Sequence, residues 1–550
     1  MRQASPALAA ALLFAAQAYA QVPPSADPGA IQQRMMDDLM RRQELERERR
    51  KPVAEPLRRE PPPAAAQPGA EAVRFMVREI RFTKSEILSA GELEAVAQEF
   101  RGRELSLADL QQLAARINDL YKGKGVVTAQ AVVPPQDVTT GVVTIRLVEG
   151  RLGKVRIKGN DSTDDSYVTA RLGLKPEELM DLATLEAALV RFNRINDAQL
   201  RVELAPGERF ATTDLSVLMT EPPRHDLRLT YDNLGSAATG RERSGISYLN
   251  RSVLGFRDDL SISATRARGQ FSRSASYGFA FNTWGGRASL GYYDDQTAIK
   301  NGPLATLLIT GASVARVLSL RQPTIVDNRM QVDIVAGAKT RRSYNWIDKV
   351  LLQRTDTEDR NLGVEAQLFD AHSNWFASYV RTDGHADVTQ REKYRIERGT
   401  LRHNRNLSDS VSFRGNLSWQ STRQVLLPSS EQFFIGGEGS VRGYPVGVHS
   451  GDTGETLNLE LHHPLLTAGA DTGGLGATGF LFADYGRTRP YRAPGSTLKP
   501  FEALTGVGWG MNIAMGKVAY TRLTFAYGAT AVPNQPRNYE ITLQFVASVF

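Results

Sequence analysis

The chain has 550 residues, enough for three or four domains of ordinary size, and carries 67 Lys and Arg against 60 Asp and Glu, a net charge of +7. This mild basic balance, without dense cationic clusters, argues against a nucleic-acid partner, and the absence of cysteine excludes a disulfide scaffold, a thiol nucleophile and a cysteine-held metal. Mean hydropathy is −0.32, and no apolar run long enough for a membrane helix follows residue 20, so these numbers alone suggest a soluble multidomain chain, with a transmembrane β-barrel, whose alternating strands make no such run, as the exception they leave open.

Met1-Arg2, the apolar stretch Ala7 to Ala16 and Ala18-Tyr19-Ala20 stand in the order of a secretory signal peptide, assigned to residues 1–20. Asp27-Pro28 then opens a run of helix formers that Lys51-Pro52 ends, within a segment assigned to residues 21–51. Twenty helical residues span about 30 Å, near the thickness of a bilayer. The apolar residues of this helix are Ile31, Met35, Met36, Leu39, Met40 and Leu45, and its last turns are charged all round. Such a helix belongs in a polar setting, either solvent, as a free or coiled-coil arm, or an aqueous pore. Residues 52–71 carry six prolines among alanine and charge and read as a semi-rigid linker.

Two small α/β units follow. In the first, 72–150, strand-like 75–82 precedes helices over 91–100 and 105–121 and strands over 126–133 and 141–148. The second, 151–222, repeats the order with a strand at 154–157, helices over 164–172 and 183–195, and strands over 199–204 and 214–219. Tandem copies of one β-α-α-β-β unit imply two modules, each a small sheet covered on one face by two helices. The open edge of such a sheet pairs with an extended peptide through the main chain, while a mere spacer is the plain alternative.

From residue 223 to 550 the period becomes two. Ala275, Tyr277, Phe279 and Phe281 alternate with Ser274, Ser276, Gly278 and Asn282, and Met330, Val332 and Ile334 alternate with Gln331 and Asp333. The length is too great for one β-sandwich and no blade-length repeat interrupts it. At roughly 20 residues per strand and connection, it predicts a transmembrane barrel of about 16 antiparallel strands. Tyr539, Ile541, Leu543 and Phe545 alternate in the last strand, although Phe550 falls on the opposite parity and Ser548 is polar where an insertion signal is apolar.

Within the barrel, Phe433-Phe434-Ile435-Gly436-Gly437 precedes Ser440-Val441-Arg442-Gly443-Tyr444, and Phe480-x-Phe482-x-Asp484-x-Gly486 follows. Phe482, Asp484 and Gly486 share one strand face, and a charge inside a barrel is best held by a bidentate arginine. Gly443 permits a tight turn and Tyr444 can anchor it by packing.

These residues resemble the two-partner-secretion transporters of the haemolysin/filamentous-haemagglutinin secretion family. The resemblance includes Tyr121-x-x-x-Gly125, Pro134-x-Gln136, Gly141 and Val148-Glu149-Gly150 in the first unit, which is similar to a POTRA domain. Phe192-Asn193, Leu204-x-Pro206-Gly207 and Thr213-Asp214-Leu215 mark the second. In the barrel it adds Tyr231-Asp232-Asn233-x-Gly235, Leu254-Gly255-x-x-Asp258 and Asn458-x-Glu460-Leu461. Val126 departs from the pattern, which has an aromatic there.

The resemblance implies an outer-membrane pore with periplasmic POTRA domains, a helix plugging the lumen and a loop folded into the barrel. In that loop Arg442 is expected to meet Asp484, with Val441, Gly443, Tyr444, Phe482 and Gly486 around the contact. Tyr121, Gly125, Pro134, Gln136 and Gly150 are the POTRA candidates for binding the partner. The expected partners are a secreted exoprotein of adhesin or haemolysin type, outer-membrane lipid and the barrel-assembly machinery. The alternatives are an assembly factor for other barrel proteins and a passive solute porin. The seven histidines form no metal or catalytic motif, and no serine elbow or phosphate loop is present, so neither cofactor nor enzymatic activity is expected.

Overall fold

The computed structural model describes residues 27–34, 36, 57–59 and 74–549, except 125, 127–128, 176, 180, 210–211, 389–390, 424, 470–473, 493–495, 517 and 534–537. The signal segment, Gly125, Phe550 and most of the N-terminal helix and linker lie outside the described residues. The chain divides into two compact units, Arg50–Pro222 and the barrel region Pro223–Phe550 together with the segment ending at Arg49.

In the first unit, β1 (Leu57–Arg59) is followed by β2 (Phe75–Val77), β3 (Glu79–Phe82), α1 (Ala90–Gln98), β4 (Arg103–Leu105), α2 (Leu107–Gly123), β5 (Gln130–Val132) and β6 (Val142–Val148). The second module holds β7 (Arg151–Lys158), α3 (Asp165–Leu172), α4 (Leu182–Ile195), β8 (Gln199–Pro206) and β9 (Thr212–Thr220). Ser89 and Ser106 start α1 and α2 with reciprocal capping boxes to Glu92 and Asp109, and Asp164 and Asp181 cap α3 and α4.

The repeat extends to strand pairing. β3 runs parallel to β6 while β5 is antiparallel to it, and β7 and β8 stand in the same relations to β9. Leu110, Leu113, Ile117 and Tyr121 of α2 pack on Val143, Ile145 and Leu147 of β6, each buried aliphatic side chain contributing about 1.5–3 kcal/mol. The single strand expected over 75–82 is two strands, because Val77 ends a pairing with β4 and Glu79 begins one with β6. The linker also differs from expectation: residues 57–59 form β1, a strand parallel to β8.

In the second unit sixteen strands close a barrel, from His225–Asp232 round to Tyr539–Ser548, every neighbouring pair antiparallel. Strand lengths range from 8 to 20 residues. The seam joining first strand to last is short, with five paired positions from Arg228↔Ser548 to Asp232↔Gln544. Asn233 extends it by donating to the Ile541 carbonyl at 2.9 Å and accepting the Leu543 amide at 2.8 Å.

Polarity is inverted relative to a soluble protein. Along Met330–Ile347, Ile334 is 44% exposed while Asp333, Lys339, Arg341, Ser343 and Asn345 are buried. Exposed Leu229 and Ile246 face each other across one pair, and exposed Leu290 and Leu318 across another. A continuous apolar exterior around a polar interior is the surface a bilayer requires and water disfavours. No described helix is long and apolar enough to cross a membrane; the crossing elements are the strands.

Candidate functional site: a polar lumen with a fixed loop and a held helix

Residues 423–452 connect the strand Ser412–Thr422 to the strand Thr453–Leu466 and turn back into the barrel through a short hairpin, Phe433–Ile435 with His449–Gly451. Arg442 is buried at the turn. Its Nε donates to Asp484 Oδ2 at 2.7 Å, its Nη2 to Asp484 Oδ1 at 2.8 Å, and its own amide to Asp484 Oδ2 at 3.0 Å. Its remaining terminal nitrogen, Nη1, lies 2.5 Å from Glu460, and the guanidinium sits 3.6 Å above the Phe482 ring. A planar, doubly bonded ion pair out of bulk water is strong and directional, and the aromatic face covers it without competing for its hydrogen bonds.

The neighbouring residues make room for this contact. Gly443 has φ +92°, a conformation that side chains resist, and an added Cβ would also meet the Gly528 amide nitrogen at 2.6 Å. Val441 is fully buried against Gly486, where a Cβ would reach its Cγ2 at 2.6 Å. Tyr444 Oη donates to the Thr505 carbonyl at 2.7 Å and accepts the Thr530 amide at 2.7 Å. All seven residues expected at the loop thus gather at one place inside the barrel.

A second cluster lies on the opposite part of the same loop. Glu431, fully buried, meets Lys339 at 2.6 Å, Arg398 at 3.1 Å and Arg341 at 3.2 Å. Lys339 and Arg341 also hold the N-terminal helix, described over residues 28–34 and at Met36. Lys339 donates to Gln33 Oε1 at 3.2 Å and Arg341 Nε to Gln32 Oε1 at 3.1 Å. Gln32 further donates to the Ser313 carbonyl at 3.0 Å, and Asn345 donates to Asp27 at 3.0 Å. Pro28 sits against Gly311, where a Cβ would meet its ring at 2.6 Å. This helix therefore lies against the polar inner wall, buried over residues 27–33.

The POTRA candidates lie in the first module. Tyr121 is fully buried, its hydroxyl donating to Glu149 at 3.0 Å, and burial pushes its phenol up to about 12. Gln136 uses both ends of its amide on Thr144, accepting its amide at 2.7 Å and donating to its carbonyl at 2.9 Å. Gly150 is buried and Pro134 half-buried. Tyr121 and Gln136 make hydrogen bonds within the module, Gln136 being half-buried and Tyr121 and Gly150 buried. Gly125 lies outside the described residues.

Residues 212–513, more than half of the chain, match the family described as haemolysin secretion/activation protein ShlB/FhaC/HecB, and residues 75–150 match the ShlB-type POTRA domain. The chain belongs to the ShlB/FhaC/HecB family. It is 26% identical over 426 residues to the outer membrane transporter CdiB of Dickeya dadantii, covering 73% of this chain and 74% of that one. It is 22% identical to the heme/hemopexin transporter protein HuxB of Haemophilus influenzae, over 86% and 87% of the two chains. Its fold is similar to that of CdiB from Escherichia coli, with a TM-score of 0.66 at 20% identity over 94% of this chain and 98% of the other. The chain is an outer-membrane transporter of the two-partner-secretion type with its POTRA region in the periplasm, and the family implies a secreted protein partner.

Several residues that shape this transporter's lumen carry no role in the sequence reading. Gly506, Gly508 and Gly510 on the strand Glu502–Met515 face the loop and its aromatic support: a Cβ at 506 would strike the Arg442 carbonyl and one at 508 the Phe482 ring. Their spacing of two is the available signal. Glu438 is another, accepting from Thr542 at 3.0 Å, Arg522 at 3.1 Å and Thr524 at 3.3 Å and so tying the loop to the last two strands. His462 and His463 do point to opposite faces, the first to Glu460 at 2.8 Å and the second to the Ser410 carbonyl at 3.0 Å.

Proposed function

We propose that this transporter carries an exported protein of adhesin or haemolysin type across the outer membrane in extended form, without catalysis or cofactor. The POTRA modules take up the unfolded partner, the N-terminal helix leaves the lumen, and the partner passes through and folds outside. Residues 1–20 direct export of the transporter, the barrel-assembly machinery inserts it, and lipid surrounds its apolar band.

The observation that carries this reading is how the lumen is filled. Its inner wall meets the helix through amide side chains and one capping aspartate, so the helix fits a polar pore and can be replaced there by water or by another peptide. A passive porin needs neither a tethered helix nor POTRA modules.

Deleting residues 27–51 tests it. In planar bilayers the deletion is expected to turn a mostly closed barrel into one that conducts steadily. Unchanged conductance would show that the helix does not obstruct the pore and would remove the basis for a plug. In cells, the partner is identified as the protein lost from the medium when the chain is deleted.

A further inference from the structure

The chain enters the barrel from the periplasmic POTRA region, so odd-numbered barrel strands run outward and the turn from Ile347 to Val350, between the seventh and the eighth, lies at the cell surface. On the sixth to tenth strands, Ile309–Val326 to Arg391–Asn406, the lipid-facing side changes character on the way to that turn. Arg316 shares the face of exposed Leu318 and Leu320, Arg360 that of Leu362 and Val364, and Arg381 that of Tyr379, while their neighbours Ala315, Asp359 and Thr382 are buried on the inner side. Across the strands Arg360 stands opposite Asp383, and Asp383 opposite Arg395. The outward apolar run on Val350–Phe369, from Leu362 to Leu368, covers about 20 Å of strand and about 15 Å of depth at an ordinary tilt, against a band of about 25 Å. The first arginines thus lie at the border of the hydrocarbon layer, where a guanidinium needs an anion beside it.

The protein supplies only part of that counter-charge. Asp356 accepts from Arg342 at 2.9 Å and from Arg354 at 2.5 Å, and Asp383 accepts from Arg395 at 2.6 Å and from Arg381 at 3.1 Å, so each carboxylate serves two arginines. Among the described residues Arg316, Arg360 and Lys393, all exposed, make no side-chain hydrogen bond or ion pair. Glu358, Asp387 and Glu397 lie on the same face, and the described cations there still outnumber the carboxylates. Nearer the surface turn, Tyr344 and Trp346 stack on this face with ring centroids 5.5 Å apart and planes at 18°. The other side of the barrel ends differently: at the outer ends of Leu475–Arg489, Ala519–Gly528 and Tyr539–Ser548 the apolar band runs into exposed Tyr485, Tyr527 and Tyr539, the usual aromatic girdle. On the sixth to tenth strands the order is apolar band, then cations, then an aromatic pair.

We propose that this face binds a phosphorylated glycolipid of the outer leaflet, with its acyl chains along the leucines, its phosphates on the arginines and its sugars against Tyr344 and Trp346. A phosphate monoester carries more charge and more acceptor oxygens than a carboxylate, and the planar fork of arginine donors matches it. Sugar rings present C–H faces that pack on aromatic rings while their hydroxyls stay in water. A phosphodiester phospholipid brings a single charge and no ring to stack, so it uses less of the face. The proposal rests on the barrel's place in the outer membrane and not on what crosses it, and the helix deletion described above leaves it untouched.

The purified full chain, delipidated in detergent, is titrated with bis-phosphorylated lipid A, with lipid A stripped of both phosphates, and with phosphatidylglycerol, and bound lipid is read by native mass spectrometry. The unaltered chain is expected to hold the first at least tenfold more tightly than either of the others. Equal affinity for the stripped form, equal affinity for phosphatidylglycerol, or no binding at all overturns the proposal. Arg316→Gln with Arg360→Gln and Lys393→Gln removes the cations that have no partner within the protein and strands no carboxylate. It is expected to weaken lipid A binding at least tenfold, and unchanged affinity overturns the phosphate contacts. Tyr344→Ala with Trp346→Ala is expected to weaken lipid A several-fold and to leave phosphatidylglycerol as it was; no loss, or the same loss for both lipids, overturns the sugar contact. The three-lipid comparison uses the unaltered chain and so decides even where a variant does not fold.

Discussion

The loop and the N-terminal helix occupy the same lumen and are held in opposite ways. Arg442 gives Asp484 two hydrogen bonds from its positive guanidinium and a third from its backbone amide, and Phe482 covers the pair, while neighbouring glycines admit the loop backbone with no space to spare. The helix meets Lys339 and Arg341 mainly through the neutral amide oxygens of Gln32 and Gln33. Removing a charge from a buried pair strands its partner, whereas removing an amide from a cation leaves a site that water fills readily. The difference accords with the proposed function, in which the loop stays and the helix leaves. Lys339 and Arg341 also bind Glu431 of the loop, a counter-charge that does not depend on the helix.

The sharpest way to break this comparison is Arg442→Ala, which leaves Asp484 buried without its cation at a cost of about 3–5 kcal/mol, while Glu460 keeps Arg522 at 3.1 Å. Secretion is expected to fall to background and the loop to become open to added protease. Arg442→Lys restores little, since a single ammonium cannot bond both carboxylate oxygens in the same fork. Normal secretion by the alanine variant would mean the loop is not fixed by this contact.

Gly506→Ala places a methyl on the Arg442 carbonyl, an overpacking that costs about 1–3 kcal/mol. A lower thermal midpoint with partial loss of secretion is expected, and an unchanged midpoint would show that the loop approaches this strand less closely. Gln32→Ala with Gln33→Ala removes the helix's two amide acceptors and leaves Asp27, each hydrogen bond being worth about 1 kcal/mol. The expected result is a several-fold increase in the conducting fraction of single-channel records with secretion preserved; silent records would assign the hold on the helix to other residues.

The smallest effect lies outside the lumen. A side-chain hydrogen bond from Lys124, with those of Ser89, holds the Glu92 carboxyl down to about 2 from an ordinary 4.5. Because the folded value is the lower one, the stabilisation is whole above pH 4.5 and is lost as pH falls toward 2. Glu92→Gln should flatten this part of the acid unfolding curve of the POTRA region, as followed by circular dichroism, and an identical curve would remove the contact from the ledger.

Most of the architecture was legible because its signals are local. The helices of both modules lie within a few residues of their periodicity, and the period of two marked the barrel. The pairing of Arg442 with Asp484 could be anticipated because both lie in short, distinctive motifs. What escaped depends on partners far along the chain. Leu57 to Arg59 sit among prolines and look like linker; they become a strand only because β8 offers an edge. Glu431, Lys339 and Arg341 look like ordinary polar residues until the loop folds inward and brings them together. Tyr121 and Gln136 stood out as motif residues, and the hydrogen bonds they make to Glu149 and Thr144 within the module could not be read from the motif.

The short seam between the first and last barrel strands also bears on how the molecule comes into being. The Asn233 bond to Ile541 links residues 308 positions apart, a separation that makes closure a late and slow event. Until the final strand has been synthesised and exported there is no lumen, and two strand edges remain raw. Loss of even the last ten residues would therefore not yield a slightly smaller barrel; it would leave a sheet with both borders open to pairing with neighbouring chains.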